Sequence, residues 1–328
     1  MPLSSPLLNC TEVFARQRGN PLLYQPSPCT NALQRAILLH LSHPNSKMAS
    51  SNLTQDISDD VNSIAAFLAH NQVPSLKTCD PVDCIIICAS SVLYQASYVF
   101  QALEDRPSLA KVLVLVGGIG HSTNLIYDAV ARHPEYHELK DKTAGLPEAN
   151  VLHWILTSFF DLSRLEHGGL KIFVENRSTN CGANAVETRK VLDKHGVTGP
   201  LNCIVVQDPT MSLRTVASFE KACEDLPAAE RPRFKACPTF VPKTRIEDGQ
   251  LEYVVDVKNG LRDELRLRPD DLWEKKRLCE LLVGEVARLK DDENGYGPKG
   301  KGFIGHVDVP NNVVQAAQRV KEVFGTDR

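Results

Sequence analysis

No apolar run in the 328 residues approaches the ~20 that carry an α-helix across a bilayer, so nothing here reads as a membrane span. No C-x-x-C pair occurs among the 10 cysteines, which removes the spacing of a zinc site or a dithiol redox motif. A G-x-S-x-G elbow is missing, and no Ser, His and Asp stand in a recognisable order for a serine hydrolase. Excess charge is small: a formal net charge of −3 gives neither nucleic acid nor an anionic membrane a reason to bind. Internal repeats and domain-separating linkers are absent too. What remains is an ordinary globular composition, 42% hydrophobic and 23% charged, in a chain long enough to bury a full core.

The cysteines that are present sit where small hydrophobes would. Cys84 and Cys88 lie inside the run Cys84-Ile85-Ile86-Ile87-Cys88, and Cys203 opens another strand-like segment. Free buried cysteine behaves as an apolar residue, so these are expected to be reduced, structural thiols of an intracellular, cytoplasmic protein.

Three apolar runs each lead into a loop of glycines, hydroxyls and acids, and each loop opens a helical pattern. Residues 112–116 run into Gly117-Gly118-Ile119-Gly120-His121-Ser122-Thr123, residues 172–174 into Glu175-Asn176-Arg177-Ser178-Thr179-Asn180, and residues 204–206 into Gln207-Asp208-Pro209-Thr210. Buried strands alternating with helices make β-α-β units and a parallel sheet. In such sheets the loops after the strands line the ligand crevice. The expected fold is therefore α/β, a Rossmann-like three-layer sandwich with a mainly parallel sheet and a helical C-terminal extension.

Along the chain, Ile57, Val61, Ile64, Ala65 and Leu68 predict a helix over 54–70, with Thr54 or Ser58 as its cap. Strands are expected at 83–89, 111–116, 171–174 and 202–206, and later at 234–240 and 253–257. Helices are expected after Ser90-Ser91, after Ser122-Thr123, and over 148–160, 183–194 and 211–223. Pro147 suits the first turn of the third of these, and Gly196 the end of the fourth. A charged helix over 270–290, a flexible loop over 291–302 and a final helix over 311–324 complete the pattern. The domain reading is a 1–52 extension, a 53–265 Rossmann-like domain and a 266–328 helical segment packed on it.

Residues 1–47 stand apart: Glu12 is their one acid, and Arg16, Arg18, Arg35 and Lys47 accompany many Ser, Pro and Asn. Pro2, Pro6, Pro21, Pro26 and Pro28 would interrupt the amphipathic helix of a mitochondrial transit peptide. A disordered extension, or a natural start at Met48-Ala49-Ser50-Ser51, fits better.

The sharpest local signal is the glycine loop. Gly117, Gly118 and Gly120 let backbone approach a ligand, and the following helix offers unpaired N–H groups to a phosphate or carboxylate. This loop is neither the dinucleotide fingerprint nor a P-loop, and a tight turn capped by Ser122 or Thr123 is its structural alternative. Glu175 stands where an acid accepts ribose hydroxyls, holds a cation or acts as a base. Ser178 and Thr179 read as helix caps, and Asn184 lies one turn further on. Gln207 and Asp208 face the same edge, Thr210 reads as a cap, and Arg214 is placed for bidentate pairing with a carboxylate or phosphate. His121 is the histidine within a glycine loop; it, Glu175 and Asp208 are the catalytic candidates. His133 and His137 have metal-pair spacing, but Pro134 between them breaks the helix that would align them. Residues 296–302 read as a basic lid over an anion.

Four blocks resemble the YdcF-like proteins of the ElyC/SanA/YdcF family: Gly-Gly-Ile-Gly-His-Ser-Thr at 117–123, Ser-Thr-Asn-Cys-Gly-x-Asn at 178–184, Val-Val-Gln-Asp-Pro-Thr-Met at 205–211 and Gly-Tyr-Gly-Pro-x-Gly at 295–300. The likeness runs from about residue 54 to 320, in order. It implies a Rossmann-like sheet and, for this branch, binding of S-adenosyl-L-methionine with no settled reaction. The family's shared polar positions would fall on Gly117, Gly118, Glu148, Glu175, Ser178, Thr179, Asn184 and Arg214. This chain departs from the pattern at Ala183, where an acid is common, and at Cys88-Ala89-Ser90-Ser91, where a glycine is usual.

The reading with most support is a protein that binds S-adenosyl-L-methionine or a related nucleoside-bearing anion at the carboxyl edge of its sheet. A metal-assisted hydrolase or transferase for a phosphate-containing or lipid-linked sugar, using Glu175, Asp208 and His121, is the second. A scaffold without chemistry, supported by Ala183, is the third.

Overall fold

A computed structural model of the chain describes residues 53–254 and 267–325. The readings of the N-terminal 52 residues, and of strand at 255–257, lie outside the described residues. The described residues fall within one compact unit.

The chain runs α1 (Gln55–Ala69), β1 (Val82–Cys88), α2 (Tyr94–Asp105), β2 (Ala110–Val116), α3 (Thr123–Arg132), α4 (Lys140–Thr143), α5 (Glu148–Phe159), α6 (Leu162–His167), β3 (Lys171–Glu175), α7 (Cys181–Lys194), β4 (Asn202–Val206), α8 (Ser212–Ala222), β5 (Arg233–Ala236), β6 (Thr244–Glu247), β7 (Gln250–Tyr253), α9 (Lys275–Leu289) and α10 (Asn311–Phe324). The first five strands pair in the order β3-β2-β1-β4-β5, all in parallel. The sheet is an α/β three-layer sandwich, as the pattern predicts.

Alternation along the strands builds the layers. Ile85, Ile87, Leu113 and Leu115 pack with α2 and α5 on one face, through Val99, Phe100, Leu152 and Ile155. Their neighbours Cys84, Ile86, Val112 and Val114 pack with Ala185, Leu192, Val216 and Phe219 of α7 and α8 on the other. Strands buried on both faces are near-continuous apolar runs. Cys84, Cys88 and Cys203 are buried free thiols within them.

A third cluster joins the two ends of the described chain. Val61, Ile64 and Leu68 of α1 meet Leu278, Leu282 and Val286 of α9 and Val313 and Val320 of α10, against Leu213 of α8. The C-terminal helices thereby stand beside the start of α8, at the carboxyl edge of the sheet.

Several local expectations change. The helix expected from residue 270 begins at Lys275, because Pro269–Asp271 forms a 3-10 turn closed by reciprocal Arg268 and Asp271 bonds. The strand expected at 234–240 ends at Ala236, and residues 250–253 pair with 244–247 as an antiparallel hairpin. Gly196 does end α7, with φ +68°. Among the described residues, no helix is long and apolar enough to cross a membrane.

Candidate functional site

In this strand order the chain steps outward from β1 through β2 to β3, then returns to the opposite side of β1 for β4 and β5. The reversal between β1 and β4 is the switch point at which open α/β sheets bind ligands. A cavity of about 870 Å³ lies there. The loops after β1, β2, β3 and β4 all reach it: Ser90 and Ser91, Gly118 with Gly120 to Ser122, Ser178 to Asn184, and Gln207 with Asp208.

The glycine loop is held mainly by its own chain. Gly117 adopts φ +148° and donates its N–H to the Glu175 carbonyl at 2.9 Å. The first N–H groups of α5 donate back, from Glu148 to the Gly118 carbonyl at 3.1 Å and from Ala149 to the Gly117 carbonyl at 2.7 Å. The Gly118 N–H meets Ser178 Oγ at 3.3 Å and the Gly120 N–H meets Thr123 Oγ1 at 2.8 Å. Two donors expected to greet an anion are therefore already engaged. Gly118 is needed for close approach, but to protein: a Cβ there would lie 2.1 Å from the Ser178 carbonyl oxygen.

The capping assignments also shift. Ser122 occupies the N-cap of α3 without a side-chain bond; it is exposed, as is His121, and both face the cavity. Thr123 instead donates its hydroxyl to Glu148 Oε1 at 2.9 Å. Neither Ser178 nor Thr179 caps α7. Asn180 does, its Oδ1 accepting from the Ala183 N–H at 3.0 Å. Thr210 does not cap α8; its N–H and hydroxyl both donate to Asp208 Oδ1, at 2.9 and 2.7 Å.

Glu175 reaches the expected edge but turns inward. One carboxylate oxygen accepts the Arg177 and Ser178 N–H groups at 2.7 and 2.9 Å, and the other accepts the Ser178 hydroxyl at 2.6 Å. It is buried and lies outside the cavity lining. Glu175 pins its loop, and Ser178 passes that support to Gly118.

Asp208 is buried too, and it does line the cavity. Ser90 donates to its Oδ2 at 3.3 Å, while the Gln207 side chain accepts its N–H at 2.6 Å. Burial pushes its carboxyl up to about 6, against the lowering effect of the Thr210 and Ser90 bonds. Glu148, also on the cavity wall, is raised by burial and opposed by its Thr123 bond. Asn184 lines the cavity as well.

Arg214 is buried in the cavity wall rather than at the surface, and its partner comes from α9. Glu285 accepts from its Nε at 2.5 Å and from Nη2 at 3.0 Å, and Arg288 adds a bond to the same carboxylate at 3.0 Å. Glu285, Arg288, Arg277 and Glu280 complete the wall, and none belonged to the expected site. One signal was available for Glu285: it interrupts the apolar stripe Leu278, Leu282, Leu289 at the spacing of a core position.

The expected flexible loop over 291–302 is a hydrogen-bonded turn. Its Asp292 Oδ1 accepts from the Asn294 and Gly295 N–H groups, both at 3.0 Å. Asp291 accepts from the Lys299 N–H at 2.7 Å. It sets Tyr296 on the cavity, with the Arg214 guanidinium 5.7 Å from the ring centre and Lys301 5.1 Å from it. A separate cavity of about 210 Å³ between α7 and α8 is walled by Leu192, Phe219 and Phe234 and gathers none of the expected site residues.

No family model matches the chain.

Proposed function

We propose that this protein binds S-adenosyl-L-methionine or a closely related nucleoside-bearing molecule in the cavity at the β1/β4 switch point, as the likeness of its loop blocks to YdcF-like proteins implies. The observation that carries the reading is the convergence of four strand-end loops on one cavity of about 870 Å³, within the ~300–1,000 Å³ of small-molecule sites. Leu125, Ile126 and Phe303 give that cavity apolar wall for a base, and Gln207, Asn184, Ser122 and Thr179 give it hydrogen-bonding groups.

Isothermal titration of the full chain with S-adenosyl-L-methionine tests the reading, with Ala183→Trp as the blocking variant, because Ala183 lines the cavity on the first turn of α7. Saturable binding to the natural chain, lost in the variant at an unchanged melting temperature, is the expected result. No binding up to ~1 mM ligand, an affinity worth about 4 kcal/mol, overturns it. Gly118→Val does not serve, since its side chain would strike Ser178 whatever the ligand.

The metal-assisted reading gains no support from the geometry. It needs Glu175, Asp208 and His121 around one ion, and the Glu175 carboxylate is spent on its own loop. Among the described residues no group of three or more His, Cys, Asp or Glu is arranged to hold a metal.

A further inference from the structure

We propose that the cavity, with Asp208 and Glu148 on its wall, selects a sulfonium centre over the neutral thioether of the same ligand; this rests on the nucleoside reading above and narrows it. The expectation from the glycine loop was an anion; the cavity acids left without ion pairs add a place for a cation.

Each Arg and Lys on the cavity wall already has a carboxylate from its own chain. Arg214 and Arg288 share Glu285, Arg277 lies 3.6 Å from Glu280, and Lys221 lies 2.5 Å from Glu224. Asp208 and Glu148 receive only hydroxyl and backbone N–H bonds, from Ser90 and Thr210 and from Thr123. Neither acid has an ion-pair partner among the described residues. A carboxylate taken out of water without a counter-charge is costly, and a bound cation within ~4–6 Å relieves that cost.

Two guanidiniums on one carboxylate leave the Arg214–Glu285–Arg288 group with surplus positive charge, suited to a carboxylate. The wall as a whole thus matches a ligand with an anionic end and a fixed positive centre. S-adenosyl-L-methionine carries both; S-adenosyl-L-homocysteine keeps the carboxylate and the α-ammonium and differs at the sulfur alone, a neutral thioether in place of the sulfonium.

The preference depends on pH through Asp208. The groups facing it are Ser90 after β1, Thr210 on its own loop, Tyr253 of β7, and Glu285 of α9 with its two arginines. Glu148 and the exposed His121 share the cavity. Protonating Asp208 removes the charge that a cation would meet, so preference holds above its titration and fades below it.

Calorimetric titration of the full chain with S-adenosyl-L-methionine, S-adenosyl-L-homocysteine and adenosine, at pH 8 and pH 5, decides the matter. The sulfonium ligand should bind ~10-fold or more tightly than the thioether at pH 8, with the ratio falling towards one at pH 5. Asp208→Asn should lower the ratio at pH 8 and weaken its pH dependence, and Glu148→Gln should independently lower the ratio at pH 8. Thioether binding as tight as sulfonium binding at pH 8 overturns the charge selection and leaves the nucleoside reading standing. Silence from all three ligands overturns both.

Discussion

Glu285 of α9 and Arg214 of α8 grip each other across 71 residues of sequence, with side chains only 3% and 10% exposed. The pair ties the C-terminal helix to the start of α8, so the cavity wall and the third core cluster are one structure. Removing one member of a buried pair strands the other charge and costs ~3–5 kcal/mol, whereas replacing both by apolar residues of similar volume is often neutral. Glu285→Ala should therefore destabilise strongly in urea unfolding, and Arg214→Met combined with Glu285→Leu should recover much of the loss. A double variant as unstable as the single one would show that stranded charge is not the cause.

Gly118 and Gly145 are required for different reasons, and alanine separates them. At Gly118 a Cβ meets the Ser178 carbonyl oxygen at 2.1 Å, whereas at Gly145 the surroundings are open and only φ +78° is at issue. Gly118→Ala should lose ~3 kcal/mol through forced displacement of the 175–180 loop. Gly145→Ala should lose only ~1 kcal/mol, the strain of a left-handed residue. Thermal melts of the two variants check the order, and the reverse order would deny that the two loops are in such close contact.

These contrasts also mark what could be read from the sequence. Strand ends and polar loops were legible because burial on both faces leaves unbroken apolar runs, and a parallel sheet brings its loops to one edge. The roles of Glu175, Ser178 and Thr123 were not. Each hydroxyl or acid had a local use and a ligand use, and hydrogen bonds between loops 60 residues apart, such as Gly118 to Ser178, decide between them. Arg277 and Arg288 were illegible for a related reason, and Glu285 showed only as a break in the apolar stripe of its helix. A charged helix reads as solvated until its partners, here α1, α8 and α10, are known.

Asp208 makes the fold itself sensitive to pH. Its folded value of about 6 lies above the ordinary 3.8, so between those limits the folded chain holds a proton that the unfolded chain gives up. Stability from this group is fully present below pH ~4 and is lost as pH rises through 6, by about 3 kcal/mol at most. Melting temperatures from pH 4 to pH 8 should fall less steeply in Asp208→Asn than in the natural chain. Parallel curves would place the titrating group elsewhere.

Glu175 offers the clearest separation of holding a loop from holding a ligand. All its side-chain bonds run to Arg177 and Ser178, and Ser178 in turn meets the Gly118 N–H at 3.3 Å. Glu175→Gln keeps the shape and one acceptor oxygen but turns an amide donor towards groups that already donate. Stability should drop by ~1–3 kcal/mol, the penalty for mismatched buried donors. Affinity for S-adenosyl-L-methionine, measured well below the melting temperature, should stay within a factor of ~2 of the natural chain, because the side chain is turned away from the cavity. A large loss of affinity at undiminished stability would mean that Glu175 swings out to meet the ligand, and that the loop bonds seen in the free protein break when it binds.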